Sequence, residues 1–218
     1  GAAVAEKYLE AHLGHEVMQH KIYAFISDGG IQEEISQGTG RLAGVLGLNN
    51  LIMFYDSNDV QLSTNCDVVM REALTLANQE TERPTLIIGK TIMAKGAVQA
   101  DGTSYEGDFR THGAPLGGDA YINTIKNLGG DVENPFVIYD DVAELYTKRN
   151  AELKEIVAKR QAIEKQWAAE NPEKAAKMAE WFSGKAPNID WSNLVQKPNS
   201  PTRVASAACL GVLSEQVK

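Results

Sequence analysis

The fold is decided by residues 21–58, which read KIYAFISDGG IQEEISQGTG RLAGVLGLNN LIMFYDSN. Two apolar runs, 21–27 and 50–56, are rich in the β-branched and aromatic residues that favour strands. Residues 31–48 between them repeat their apolar positions at helical spacing. A strand, helix and strand of this length make the two strands parallel, so both carboxyl ends open on one edge of the sheet. We therefore predict an α/β fold with a mostly parallel sheet flanked by helices.

Polar residues follow both predicted strands. Asp28 comes directly after the first strand, with Gly29 and Gly30 behind it, and Asn58 follows the second strand. Neighbouring strands lie roughly 4.8 Å apart, so a carboxylate and an amide oxygen can meet on one cation. Such hard oxygen donors suit Mg²⁺, and the amides at the start of the following helix suit a phosphate. Aspartate and glycine after a strand are also common turn residues, so a plain turn is an equal alternative here.

Composition excludes several classes of protein. The 218 residues carry a net charge of −8 without a basic stripe, which argues against nucleic-acid binding. Because no apolar run reaches 18 residues, we expect no membrane span. Cys66 and Cys209 lie far apart without a CxxC pattern, so neither a disulfide framework nor a zinc site is indicated. With no signal peptide before the first helix, we expect a cytoplasmic protein.

The rest of the chain alternates helices, one further strand and a long loop. We predict a strand at 84–91, a glycine-rich loop at 94–118, and helices at 2–13, 67–80, 119–128 (with Asp119 as N-cap), 141–167, 172–182 and 204–217. These elements divide into an α/β domain over 1–135, peripheral helices over 136–185 that form a helical arm, and a linker over 186–203. The apolar helix within 204–218 leads us to expect the start of another domain there.

His112 is the histidine with the best claim to a function. It is followed by Gly113 and Pro115 in the long loop after the third strand, which leaves the same sheet edge as Asp28 and Asn58. On residue type alone, polar surface is an equally good interpretation of His112. The other three histidines cluster near the first strand, where a solvated connection is a better interpretation than a metal site.

Several motifs together resemble transketolase, a thiamine-diphosphate enzyme. They are SDGG–IQEEIS at 27–36, LAGVLGLNNLIMFYDSNDVQLS at 42–63 and THGAPLG at 111–117, and PTRVASAACLGVL at 201–213 looks like the opening of that family's pyrimidine-binding domain. The resemblance covers nearly the whole chain. It implies the thiamine-diphosphate-binding fold and transfer of a two-carbon ketol unit from a ketose phosphate to an aldose phosphate in the pentose phosphate pathway. It also implies a homodimer in which the pyrimidine-binding domain of a second subunit completes the cofactor site.

The resemblance also implies roles for individual residues. The metal would be Mg²⁺, with Ca²⁺ or Mn²⁺ as substitutes, held by Asp28, the side-chain oxygen of Asn58 and the main-chain carbonyl of Val60. Thiamine diphosphate would be bound by five residues: Asp28, Gly29, Asn58, Leu62 and His112. Among these residues His112 would be the catalytic one, touching the diphosphate and the reacting centre. Glu33 matches a glutamate of the family's acidic network across the dimer interface.

Three departures from the family pattern matter. Ser27 stands where the family more often has glycine. The family has a further strand and helix before the helix at 67–80, so we expect Thr64 and Asn65 to belong to segments that are not covalently adjacent. The family's amino-terminal part and pyrimidine-binding domain are also missing, so we expect this chain alone to be inactive.

Other interpretations stay open. The chain could be the amino-terminal subunit of a split transketolase, or a non-catalytic module that binds a ligand at the Asp28 edge. Thiamine enzymes that make deoxyxylulose phosphate share the Asp-Gly and Asn motif, but HGAPLG at 112–117 fits transketolase better. The preferred sugar is not indicated by the sequence.

Overall fold

The computed structural model describes residues 1–58 and 67–217. The chain divides into two compact units, Gly1–Gln166 and Trp167–Lys218. The first unit contains a parallel sheet, which has three strands in the described residues, and helices flank it. This arrangement confirms the predicted α/β fold.

The elements follow the predicted order. The strands are β1 (Ile22–Ser27), β2 (Leu51–Ser57) and β3 (Thr85–Lys90). The helices of the first unit are α1 (Ala2–Leu13), α2 (His15–Met18), α3 (Asp28–Gln32), α4 (Glu34–Val45), α5 (Asp67–Gln79) and α6 (Gly118–Asn127). The long helix α7 (Asp140–Glu170) continues from the first unit into the second, which also contains α8 (Pro172–Trp181) and α9 (Thr202–Gln216).

The strand order in the sheet is β1-β2-β3, and both pairs are parallel. Ile22 lies opposite Leu51, and Ser27 lies opposite Asp56. The carboxyl ends of β1 and β2 therefore reach the same edge of the sheet. This register confirms the predicted parallel pairing and determines which residues can meet at that edge.

Side chains on the two faces of the sheet contact different helices. On one face, α5 contributes Met70 and Ala73 to a surface shared with Phe54 and Ile87. On the other face, residues of α4 line a surface with β2 and β3: Gly40, Ala43, Leu51, Met53 and Leu86. A small apolar cluster anchors this second face, formed by Ala3, Ala43 and Leu48 with Ile22 and Leu51 packed against it.

Two sequence predictions about helix boundaries were wrong. The single helix expected over 31–48 is interrupted at Glu33, whose backbone is extended at φ −63° and ψ 129°. The carbonyl of Glu33 accepts hydrogen bonds from the amides of Ser36 and Gln37, so a second helix starts there. Asp119 is not an N-cap, because the extended residue before α6 is Gly117. Asp119 lies instead in the first turn of α6, where its charge still favours the helix dipole.

The second unit ties part of the predicted linker to its last helix. Asp190 donates its amide to the side chain of Gln216 over 2.8 Å, and Gln216 donates back to the Asp190 carbonyl over 2.9 Å. Residues 184–201 contain no helix or strand. Across residues 1–58 and 67–217, no helix is long and apolar enough to cross a bilayer.

Candidate active site

Asp28 and Asn58 come together at the carboxyl edge of the sheet. Asp28 is the first residue of α3, directly after β1. Its Oδ2 accepts a hydrogen bond of 3.2 Å from the backbone amide of Asn58, and its Oδ1 accepts one of 2.5 Å from the hydroxyl of Tyr55. Since two carboxylate oxygens offer about four lone-pair positions, the Asp28 carboxylate can still bind a cation.

The donor set at this edge fits Mg²⁺. The Asn58 side chain makes no hydrogen bond within the described residues, so its amide oxygen is available to a metal. Residues 1–58 and 67–217 contain no group of three or more His, Cys, Asp or Glu side chains that could hold a metal. Mg²⁺ is usually bound by one or two carboxylates together with water and substrate phosphates, so a large protein cage is not required. Val60 and Leu62 lie outside the described residues.

The first turn of α3 has an open backbone. Ser27, its N-cap, makes no side-chain hydrogen bond to the helix, and a Cβ placed on Gly29 would meet no atom within 4 Å. By contrast, a Cβ on Gly30 would lie 2.8 Å from Cγ1 of Ile26, so glycine is needed there for α3 to pack on β1. Gly29 is thus accessible to a ligand, while Gly30 has a packing role.

Tyr55 is a site residue that the sequence analysis missed. It lies opposite Ile26 in the β1–β2 pair, two positions before Asp28. The parallel register brings the long tyrosine side chain within reach of the Asp28 carboxylate. The signal was available in the sequence, because aligning the ends of the predicted strands 21–27 and 50–56 places Tyr55 opposite Ile26.

A second set of polar pairs closes the edge between β2 and β3. The hydroxyl of Thr91 donates to Oδ1 of Asp56. Nζ of Lys90 donates to the hydroxyl of Ser57 over 3.3 Å. These bonds hold the end of β3 against the end of β2, on the side away from β1. The polar side chains at this edge therefore pair with one another.

His112 is exposed. It follows a single turn of 3₁₀ helix, Phe109–Thr111, and its amide donates to the Phe109 carbonyl over 3.1 Å. No hydrogen bond of the described residues joins its ring to Asp28 or Asn58. The turn before it is capped by Asp108, which accepts from the Arg110 amide over 2.8 Å. The described hydrogen bonds therefore join Asp28 to Asn58 and Tyr55 but leave His112 unconnected to them.

An ion pair joins Arg110 to Asp108 in this loop. The hydrogen bonds from the Arg110 side chain hold the pKa of Asp108 below its ordinary value, helped by the Arg110 amide. The same pair raises the pKa of Arg110. The Arg110 guanidinium also lies 5.7 Å from the centre of the Tyr105 ring.

Helix α6 holds the loop that leads to His112. Asn127 donates to the carbonyl of Gly96 over 2.8 Å, and Asn123 donates to that of Ala100 over 3.1 Å. The Thr124 hydroxyl accepts from the Val98 amide over 3.0 Å. Positions i, i+1 and i+4 lie on one helix face, so a single face of α6 secures the loop.

The three amino-terminal histidines do not form a metal site in the described structure. The rings of His12 and His20 contact backbone carbonyls, and the ring of His15 contacts the Glu10 carboxylate. The pKa of Glu10 lies below its ordinary value, mainly through a hydrogen bond from Lys7 and then through His15. These contacts are explained by local structure alone.

A family model described as "Transketolase, thiamine diphosphate binding domain" matches the chain in two pieces, residues 1–72 and 65–187. The chain is 33% identical to transketolase 1 of Pasteurella multocida, over 88% of this chain and 32% of that protein. It is 30% identical to a protein named "Transketolase, plasmid" from Cupriavidus necator, over 98% of this chain and 37% of that protein. The chain thus spans about a third of the length of the curated relatives it matches.

The relatives also contain internal residues without a counterpart here. The alignment to the Cupriavidus necator protein runs over 259 positions, and one to the transketolase of Aquifex aeolicus runs over 254, although this chain has only 218 residues. The two pieces of the family match meet at residues 65–72. Several tens of family positions are therefore absent from this chain.

Solved structures agree with the sequence comparisons. The transketolase of Leishmania mexicana superposes on 98% of this chain and 36% of its own with a TM-score of 0.75, at 26% identity. The transketolase of Campylobacter jejuni gives a TM-score of 0.67 over 98% of this chain and 36% of its own, at 27% identity. The chain therefore belongs to the transketolase family, and residues 1–187 match its thiamine diphosphate-binding domain.

Proposed function

We propose that this chain holds the diphosphate end of thiamine diphosphate in a transketolase. The observation that carries the proposal is the hydrogen bond between Asp28 Oδ2 and the Asn58 amide, because it places two oxygen-bearing residues at the ends of adjacent parallel strands. Ligands of open α/β sheets bind outside the carboxyl ends of the strands. When bound, thiamine diphosphate supplies the carbon nucleophile that cleaves and rebuilds ketose bonds.

The metal in this proposal is Mg²⁺, with Ca²⁺ or Mn²⁺ as substitutes. Asp28 and the side-chain oxygen of Asn58 bind it, together with the main-chain carbonyl of Val60. One carboxylate and neutral oxygens leave the cation a net positive charge toward a diphosphate. Tyr55 orients the carboxylate by its hydrogen bond to Oδ1.

Three further residues contact the cofactor in the proposed complex. The amide of Gly29 donates to the diphosphate, supported by the open space around that residue. Leu62 packs near the thiazolium. His112 contacts the diphosphate and handles a proton at the reacting centre, which requires the loop held by α6 to face the Asp28 edge in the complete protein.

The whole protein, in this proposal, transfers a two-carbon ketol unit between sugar phosphates in the cytoplasm, as part of the pentose phosphate pathway. It works as a homodimer in which a second subunit's pyrimidine-binding domain completes the site. This chain alone is inactive, because it covers about a third of its relatives. A coupled assay that detects ketol transfer by the purified chain would contradict that part of the proposal.

Titration of the purified chain tests the site. Thiamine diphosphate is titrated by calorimetry with and without Mg²⁺, and Mn²⁺ binding is followed by water-proton relaxation. We expect metal-dependent binding that Asp28→Ala abolishes. The matched control is Asp119→Ala, which should leave binding unchanged, because Asp119 is also an aspartate next to glycine in the first turn of a helix. Metal-independent binding, or equal loss in both variants, would favour a non-catalytic ligand-binding module.

A split transketolase is the remaining enzymatic alternative. Its amino-terminal subunit would also span only part of the curated relatives. Intact mass measured on the native gene product distinguishes the two cases. A mass close to 23.7 kDa would favour the split subunit, and a much larger mass a single-chain enzyme.

A further inference from the structure

A single peptide group links the end of β3 to Asp28. It is the group between Ser57 and Asn58, whose amide donates to Oδ2 of Asp28 over 3.2 Å. Its carbonyl accepts from the Thr91 amide over 3.0 Å. Because a peptide group is planar and nearly rigid, a shift at one of these hydrogen bonds is passed to the other. Thr91 is therefore connected to both Asp28 and Asn58 through one rigid unit.

The side chain of Thr91 holds its own amide in place. Thr91 is the first residue after β3, and its hydroxyl donates to Oδ1 of Asp56. Ser57 lies opposite Lys90 in the β2–β3 pair, so the bond from the Thr91 amide extends the backbone ladder to the end of β2. The hydroxyl adds a second bond between the same two chain ends, which limits how far they can separate.

Burial strengthens the connection. Ser57 is only 4% exposed, and Asn58 and Thr91 are half-buried, so water competes little for the hydrogen bonds of the peptide group. Hydrogen bonds that share a peptide group polarise one another in such surroundings. The last acceptor in the series is the carboxylate of Asp28, and hydrogen bonds to charged groups are the stronger ones.

We propose that Thr91 is a positioning residue for the metal site. It holds the Ser57–Asn58 peptide group, and that group sets the direction of Oδ2 of Asp28 and the point from which the Asn58 side chain extends. Tyr55 restrains the other carboxylate oxygen, so the two metal ligands are held from both sides of β2. The inference rests on the proposed function, because it takes Asp28 and Asn58 as the ligands of the cation.

Removal of the Thr91 hydroxyl tests the proposal. Thr91→Val keeps the branched side chain and the backbone amide but loses the bond to Asp56. We expect Mn²⁺ affinity in the presence of thiamine diphosphate, measured by water-proton relaxation, to fall about 10-fold, as for other groups that orient a metal ligand. Thr91→Ser retains the hydroxyl and should restore the affinity. The matched control is Thr85→Val at the opposite end of β3, which should leave the affinity unchanged.

A second measurement needs neither metal nor cofactor. The backbone amide resonance of Asn58 is followed in two-dimensional NMR spectra of the parent and both valine variants. A proton donated to a carboxylate resonates downfield, so we expect the Asn58 amide to move upfield in Thr91→Val and to stay in place in Thr85→Val. A Thr91→Val variant that only unfolds more easily, with unchanged Mn²⁺ affinity and an unchanged Asn58 resonance, would overturn the proposal.

The two measurements separate this inference from the proposed function. If the parent binds Mn²⁺ and Asp28→Ala abolishes that binding, the proposed function stands, and equal affinity in Thr91→Val then overturns the inference alone. If the parent binds no Mn²⁺, the proposed function and the metal role of Thr91 fail together. The Asn58 resonance still decides in that case whether Thr91 holds the peptide group.

Discussion

The hydroxyl of Tyr55 donates a 2.5 Å hydrogen bond to Oδ1 of Asp28, which joins the middle of β2 to the residue that follows β1. The bond leaves the other carboxylate oxygen facing the Asn58 amide. A carboxylate held from two sides is oriented before any metal arrives. Groups that orient a metal ligand in this way typically contribute about 10–100-fold to metal affinity.

Tyr55→Phe should therefore weaken Mn²⁺ binding in the presence of thiamine diphosphate by about 10–100-fold. The ring remains, and the change removes the hydroxyl that donates to Asp28. Tyr23→Phe is the matched control. Tyr23 lies on the neighbouring strand β1, and its hydroxyl donates to Asn78 of α5 over 2.6 Å rather than to a site residue. Equal Mn²⁺ affinity in the Tyr55→Phe variant and the parent would show that the bond does not orient the carboxylate. Water-proton relaxation measures the affinity.

Glu6→Ala should destabilise the first unit. Glu6 is 2% exposed and accepts hydrogen bonds from the His20 amide and from Nδ2 of Asn50. The Asn50 donor is buried, and a buried donor left without a partner costs about 1–3 kcal/mol of the free energy of unfolding. Glu16→Ala, at an exposed position in the next helix, should change it by no more than ~0.5 kcal/mol. Urea unfolding followed by circular dichroism compares the two variants, and similar losses would count against a structural role for Glu6.

Gly96→Ala should destabilise the protein more than Gly102→Ala. Both glycines have φ near +80°, a region that costs an L-residue about 1–2 kcal/mol. A Cβ at Gly96 would also lie 2.3 Å from Cδ2 of Leu128, whereas one at Gly102 would meet nothing within 4 Å. The difference between the two variants in thermal unfolding isolates the clash with Leu128. Equal shifts in Tm would mean that Leu128 moves aside without cost.

Protonation of Glu10 should contribute to the fall in the free energy of unfolding at acid pH. Its folded pKa is lowered, chiefly by the hydrogen bond from Lys7, so the carboxylate stabilises the fold above its ordinary pKa of 4.5. That contribution is lost as the pH drops below 4.5 and through the folded pKa. Glu10→Gln should therefore lower the free energy of unfolding at neutral pH by ~0.3–0.5 kcal/mol, typical of such a helix pair, and should match the parent in strong acid. An equal deficit at both pH values would contradict this linkage.

Much of the fold could be predicted from the sequence. The alternation in β1 and β3 and the apolar run in β2 specify strands, and the helix between the first two makes them parallel. The break at Glu33 could not be predicted, because residues on both sides of it keep helical spacing. Helix α3 starts at Asp28, earlier than predicted, and a separate helix α4 starts at Glu34. Only the extended backbone of Glu33 reveals the break between them.

The candidate site was predictable only where strand register decides it. Asp28 and Asn58 meet because they follow paired strands. His112 lies in a long loop, whose position depends on hydrogen bonds from the distant helix α6 as well as on its own residues. The sequence motif indicates a role for His112, but the residues around it do not predict where its ring lies.

Helix α6 and the loop that it holds form one structural unit, so a sequence change in one affects the other. Asn123, Thr124 and Asn127 contact the loop only because their spacing puts them on one face. One residue inserted within α6, between Thr124 and Asn127, would turn part of that face by about 100° and release part of the loop. A chimera that exchanges residues 96–105 with a relative should therefore also exchange residues 118–127, so that the segment remains paired with the helix that holds it.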